Sequence, residues 1–170
     1  LELQLAEHQG LLATCYQRDP ELSASYWAAR ARTLERLART EPTTRVIRNT
    51  SPVSSRTAMV DAGPMMLEAA AEEAYAAALA ADGRIGPVRE AYKRLLFRRG
   101  SYVRLREVLA EEAGREHDRG RSVRLLSEAA RISLDRLGEV PPAIELLRQA
   151  ASRTGVDPLL DSMVLSELGE

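Results

Sequence analysis

This chain of 170 residues holds little of what catalytic, metal-binding and secreted proteins are built from. Cys15 is its only cysteine, so no disulfide can form within the chain, and a reducing, cytoplasmic compartment is compatible with it. A lone thiol at helical spacing is expected to serve as a small core hydrophobe. His8 and His117 are the only histidines, and neither stands in an H-E-x-x-H or Glu-x-x-His pair. That removes the spacing a zinc hydrolase or a di-iron bundle needs, and both rings are expected on the surface. There is no G-x-x-x-x-G-K-[ST] and no G-x-G-x-x-G loop to cradle a phosphate. The expectation is a chain that is not an enzyme and takes no cofactor or metal. No run of 18 apolar residues is present to cross a membrane, and no signal peptide is visible. Formal net charge is −1, which carries no global polyanion-binding signature. Aromatic residues make up only 4%, and β-branched residues are too few and too irregular to build a sheet.

Ala, Leu, Glu and Arg dominate instead, and all four are strong helix formers. Arg outnumbers Lys 23 to 1. A GC-rich, bacterial coding sequence accounts for that bias, and composition cannot separate this from a choice of Arg for bidentate carboxylate or phosphate contacts. The chain begins at Leu1, inside a helical pattern, and is expected to be a piece of a longer protein.

The pattern of apolar residues predicts an all-α fold. Residues 1–17 carry Leu1, Leu5, Leu12, Cys15 and Tyr16 at helical spacing. Asp19-Pro20 is a helix start, with Asp as N-cap and Pro at the first helical position. The helix it opens runs to about Ala38 through Leu22, Tyr26, Trp27, Leu34 and Leu37. Residues 41–63 lose the period and are rich in Thr, Ser, Arg and Pro, which predicts a flexible linker or inserted loop. Arg45-Val46-Ile47-Arg48 within it suits a short docking motif, and Thr50, Ser51, Ser54 and Ser55 are candidate phosphorylation positions. The helical signal returns from Pro64, with Gly83 expected as a C-cap. Pro87 opens the next helix, whose inward stripe is Val88, Ala91, Tyr92, Leu95 and Leu96. After Gly100 and the N-cap candidate Ser101 come Leu105, Val108, Leu109 and Ala113, then Leu126, Ala129, Ser133 and Leu137 up to Gly138. Pro141-Pro142 starts a helix with Ile144, Leu147 and Ala151 inward, and Asp157-Pro158 leads into a last one, 159–168.

Residues 91–114 and 129–152 align as two copies of one unit, 38 positions apart, with seven of 24 pairs identical, among them Gly100/Gly138, Arg98/Arg136 and Leu109/Leu147. A helix–turn–helix unit that recurs cannot bury its apolar face alone, so it implies a stacked α-solenoid. Residues 33–38, TLERLA, match 133–138, SLDRLG, which makes the second helix of the chain a first helix of a repeat and residues 1–17 the second helix of the repeat before it. The division expected is a helical hairpin at 1–40, the linker at 41–63 and the repeats at 64–170.

The unit LDRLGEVPPAIELLRQA, 134–150, resembles a tetratricopeptide repeat. Gly138, Ala143 and Ala150 stand at the family's Gly and small-residue positions, whereas the first unit keeps Gly100 but has Leu105 and Glu112. The first-helix Gly of the family is replaced by Lys93 and Arg131, and the unit is longer than the family's. The resemblance implies a right-handed superhelix that binds peptides or proteins on a concave surface lined by first helices. It places Glu90, Arg94 and Arg98 of one unit, and Glu128, Ile132 and Arg136 of the next, on that surface.

Charge is uneven along the chain. Residues 84–106 carry eight cations against Glu90 alone, while residues 65–82 carry four acids and no base. The two stretches can simply pair, each surface contact being worth about 0–1 kcal/mol. They can also form a basic groove for an acidic peptide, with Arg98 and Arg136 at equivalent places making a ladder. The reading adopted is a non-catalytic interaction scaffold with a protein or peptide partner, acidic in the groove reading. Nucleic acid is the opposed class, disfavoured because the aromatics lack a stacking pattern; no membrane is involved. A purely structural segment is the third, with self-association through exposed ends at Leu1, Leu5, Leu159 or Met163.

Overall fold

The computed structural model describes residues 1–40 and 62–154. Every element among them is a helix: α1 Glu2–Cys15, α2 Pro20–Thr40, α3 Ala62–Ala81, α4 Gly86–Arg99, α5 Tyr102–Arg115, α6 Arg119–Ile132 and α7 Val140–Thr154. A π-helical turn, Ser133–Leu137, extends α6. The all-α expectation therefore holds. The docking and phosphorylation motifs of the 41–63 stretch and the expected last helix at 159–168 lie outside the described residues. α3 starts at Ala62, two residues before Pro64, which sits in the first turn where no backbone N–H is needed.

The chain divides into two compact units, Leu1–Leu95 and Leu96–Glu170. In the first, α2 packs against both α1 and α3. The α1–α2 joint is antiparallel, as its cross-links show: Ser23 Oγ donates to the Ala13 carbonyl at 3.0 Å, Thr33 Oγ1 lies 3.2 Å from Gln9 Oε1, and Arg36 pairs with Glu2 at 3.2 Å. Across the α2–α3 joint the Tyr75 hydroxyl donates to Glu35 Oε2 at 2.7 Å. Burial and that carboxylate push the Tyr75 hydroxyl pKa well up.

Where α1, α2 and α3 meet, the core of this unit is made mainly of small side chains, with Leu34 and Tyr75 among the larger ones and Val88, Tyr92 and Leu95 buried on α4. Ala6, Ala13, Ala24, Ala28, Ala31, Ala71, Ala74 and Ala78 are all buried, with Gly10 and Ser23 among them. This corrects the expected stripe of α1: Leu1, Leu5, Leu11, Cys15 and Tyr16 are exposed, Leu12 is half-buried, and Ala6, Gly10 and Ala13 face α2. Helices that meet through Ala and Gly approach closely, so the small face goes inward and the larger residues stay outside. Cys15 accordingly is not a core residue. Leu22 is also exposed, while Ser23 and Ala24 take its place at the joint.

In the second unit α6 packs against α5 and α7, and the core is larger-grained: Leu96, Leu105, Val108, Leu109, Val123, Leu126, Leu146 and Leu147. Each fully buried Leu stabilises by about 1.5–3 kcal/mol relative to leaving it exposed. The predicted stripe of α5 holds throughout. That of α7 is shifted: Ile144 and Ala151 are exposed, and Ala143, Leu146, Leu147 and Ala150 are buried. The buried residues fall at 143, 146, 147 and 150, the i, i+3, i+4, i+7 spacing of one helix face, and Ile144 and Ala151 lie beside it.

Gly100 and Gly138, the repeated glycines, both have left-handed backbone, φ 71° and 67°. Any other residue is strained there. At Gly100 the Ser101 N–H reaches the Leu96 carbonyl at 2.9 Å and the Gly100 N–H the Phe97 carbonyl at 3.1 Å, the double closure of a Schellman turn. Gly83, expected to play the same part, does not have positive φ; Asp82 closes that end instead, its Oδ1 accepting from the Arg84 N–H at 3.0 Å and from Arg84 Nε at 3.0 Å. Those two hydrogen bonds hold the Asp82 carboxyl below the usual carboxylate range.

Candidate functional site

The second unit contains an open recess of about 480 Å³ along one face of α6. Its lining is Arg124, Ser127, Glu128, Arg131, Ile132, Asp135 and Arg136, with Phe97 from the end of α4. The α6 residues follow one another by three, one, three, one, three and one, which is a single stripe of a helix. Asp118 fixes where that helix starts: its Oδ1 accepts from the Arg121 N–H at 2.7 Å, capping the first turn. Ser122 fixes how the helix lies on α5, donating to the Ala113 carbonyl at 2.8 Å from a buried position. Arg153 of α7 adds hydrogen bonds to the same carbonyl and to Ser122 Oγ. The opposite face of α6, Val123, Leu126, Ala129 and Ala130, is fully buried, so the charged stripe is held facing outward.

Three of the residues predicted to carry recognition, Glu128, Ile132 and Arg136, come together in this lining. Arg98 is exposed, and its neighbour Phe97 is the α4 residue in the recess. Glu90 and Arg94 belong to the first unit; both are exposed, and Glu90 pairs with Lys93 at 2.7 Å. Ile132 is only 8% exposed and forms an apolar spot among the charges.

Arg136 is positioned by aromatics that the sequence reading passed over. Its guanidinium carbon lies 5.8 Å from the Phe97 ring centre and 5.6 Å from that of Tyr102, and the two rings meet edge to face at 5.9 Å. The signal was available: Phe97 and Tyr102 flank the tight turn at Gly100, which brings their side chains together. A guanidinium within about 6 Å of a ring centre is attracted by the ring's electron-rich face. Ser127 was missed as well. It is 6% exposed, and its hydroxyl is buried without a hydrogen-bond partner.

The unequal charge of 65–82 and 84–106 resolves partly into local contacts: Arg84 with Asp82 and Glu21, Arg104 with Glu107 at 2.8 Å, Arg106 with Glu139. His8 and His117 are both exposed, as expected. Among the described residues, no group of three or more His, Cys, Asp or Glu is placed to hold a metal ion, and no helix is long and apolar enough to cross a membrane. Comparisons with protein families, with curated proteins and with solved structures found no match to this chain.

Proposed function

We propose that the chain is a non-catalytic interaction scaffold, a series of tetratricopeptide-like helical hairpins that takes a peptide or protein partner on its first helices. The observation that carries this reading is the α6 recess. It gathers an apolar spot, Ile132 and Phe97, with three arginines and two carboxylates on a helix whose other face is buried. That combination of a small apolar anchor and convergent polar groups is what recognition surfaces use. The repeat reading is supported by the two left-handed glycines at equivalent places and by the helix starts at Tyr102 and Val140, also 38 positions apart. The exposed Leu1 and Leu5 suit an association of the α1 face with another helix, and a cytoplasmic location suits the free, exposed Cys15.

The test is capture of partners from source lysate by the chain and by an Arg124→Glu/Arg136→Glu variant, with Arg148→Glu on α7 as the control. A protein captured by the chain and the control but lost from the recess variant supports the scaffold. An identical set from all three removes the recess from the reading. Nucleic acid in the captured material, released steeply as salt rises, would replace the scaffold with a phosphate-binding module.

A further inference from the structure

We infer that two copies of this chain pair antiparallel through the outer face of α1, with the two-fold axis beside His8. This pairing does not depend on the α6 recess. In α6 the inward face is apolar and every exposed residue is charged: Arg119, Arg121, Arg124, Glu128 and Arg131. α1 does not divide in that way. Its inward residues are Ala6, Gly10 and Ala13, and its outer side carries Leu1, Leu5, Leu11, Cys15 and Tyr16, all exposed. A helix apolar on both sides is ordinarily a covered one. Leu1, Leu5, Leu11 and Tyr16 are 102%, 46%, 64% and 41% exposed. They leave on the order of 500 Å² of apolar surface open along one helix, the upper part of what a monomer exposes in one patch.

The outer stripe matches itself, which points to a second copy as the occupant. Leu1, Leu5, Leu12 and Tyr16 stand four, seven and four residues apart, a spacing that reads the same in both directions. They fall within about 60° of the helix circumference. A two-fold axis between His8 and Gln9 sets each Leu1 against the second copy's Tyr16, and each Leu5 against the second copy's Leu12. An isologous contact requires this self-complementarity. No carboxylate or guanidinium stands on the stripe. Glu2 turns to Arg36 of α2 at 3.2 Å, and Glu7 lies about 160° round the helix from Leu5. Antiparallel pairing sets the positive end of one helix dipole beside the negative end of the other, where a parallel pair would bring like ends together. Two such faces cover about 1,000 Å² in total, the lower bound of a specific interface, so the pair is weak and forms at about tens of micromolar.

The test is sedimentation equilibrium of the full chain across about 5–500 µM. A monomer is expected at the low end and a dimer, with nothing larger, at the high end. Leu5→Glu, of unchanged helicity by circular dichroism, is expected to weaken the dimer at least about tenfold. Val140→Glu alters an apolar residue of α7 that is 52% exposed and is expected to leave the dimer unchanged. Cross-linking reads the register. In a Cys15→Ser background, His8→Cys brings two thiols together at the two-fold axis, and oxidation is expected to link the pair. The native Cys15 stands opposite the second copy's Glu2, which holds the two thiols about 20 Å apart and unlinked. A monomer at every concentration overturns the inference. So does a dimer that Leu5→Glu leaves intact, or that Val140→Glu weakens equally. Linking through Cys15 but not through His8→Cys overturns the antiparallel arrangement. Arg124→Glu/Arg136→Glu is expected to leave the dimer unchanged, which keeps a failure of the scaffold reading apart from a failure of the pairing.

Discussion

The α1–α2 joint and the α5–α6 joint are built from the same contacts and filled with different residues. In each, an aspartate caps the incoming helix, Asp19 at 3.1 Å from the Leu22 N–H and Asp118 at 2.7 Å from that of Arg121. Four residues on, a buried serine donates to an alanine carbonyl near the end of the preceding helix, Ser23 to Ala13 and Ser122 to Ala113. Further along, a hydroxyl turns back on its own helix, Thr33 to Ala29 at 3.0 Å and Ser133 to Ala129 at 3.1 Å. Yet Leu105 and Val108 of α5 are buried, while Leu5 and His8, at the corresponding places of α1, are exposed. Polar contacts at the helix ends thus set how two helices meet, and the apolar filling between them is free to vary.

The sharpest way to break the comparison is to cut the same side chain from both joints. Leu109→Ala removes a fully buried residue of α5 and is expected to cost about 2–5 kcal/mol in chemical denaturation. Leu11→Ala, on the exposed face of α1, is expected to stay within about 0.5 kcal/mol. Enlarging a small residue tests the other side. Ala28→Leu in α2 has no space to enter and is expected to lose about 1–3 kcal/mol.

The shared serines differ in a smaller way. Ser122 both donates to Ala113 and accepts from Arg153, so Ser122→Ala removes two hydrogen bonds from one buried cluster and is expected to cost about 1–3 kcal/mol. Ser23→Ala breaks one hydrogen bond, about 0.5–1.5 kcal/mol. A double substitution with Arg153→Met would show whether the excess belongs to Arg153.

The first unit carries a pH signature. Tyr75 is raised above its ordinary value near 10 by burial first, then by its hydrogen bond to Glu35. A raised folded-state pKa means the contribution is complete below the unfolded value and is lost as pH rises past it toward the folded one. Stability of the first unit is therefore expected to decline above about pH 10, and Tyr75→Phe to flatten that alkaline limb, in thermal melts followed by circular dichroism.

Much of the fold could be read in the chain. Asp19-Pro20 and the two glycines mark boundaries through backbone chemistry alone, and α5, whose apolar residues are also its large ones, gave its buried face correctly. α1 did not, because periodicity follows large apolar residues and its inward face is Ala6, Gly10 and Ala13. Of the candidate site, Glu128, Ile132 and Arg136 could be named through the resemblance of their unit to a tetratricopeptide repeat. Phe97, Tyr102 and Ser127 could not be given roles, since a ring over a guanidinium and a buried hydroxyl without a partner exist only once helices are placed.

By itself the sequence determined that the described residues are helical, because helix formers, caps and glycines suited to left-handed turns act within a few residues of one another. Tertiary structure decided which of two equivalent residues goes inside. Leu96 and Leu134 hold the same place in the two units, yet Leu96 is fully buried and Leu134 is 38% exposed. Leu134 lies within the π-helical turn Ser133–Leu137 that ends α6, whereas Leu96 lies within the regular helix α4. That choice depends on what packs against the helix from far away in the chain, which no local pattern encodes.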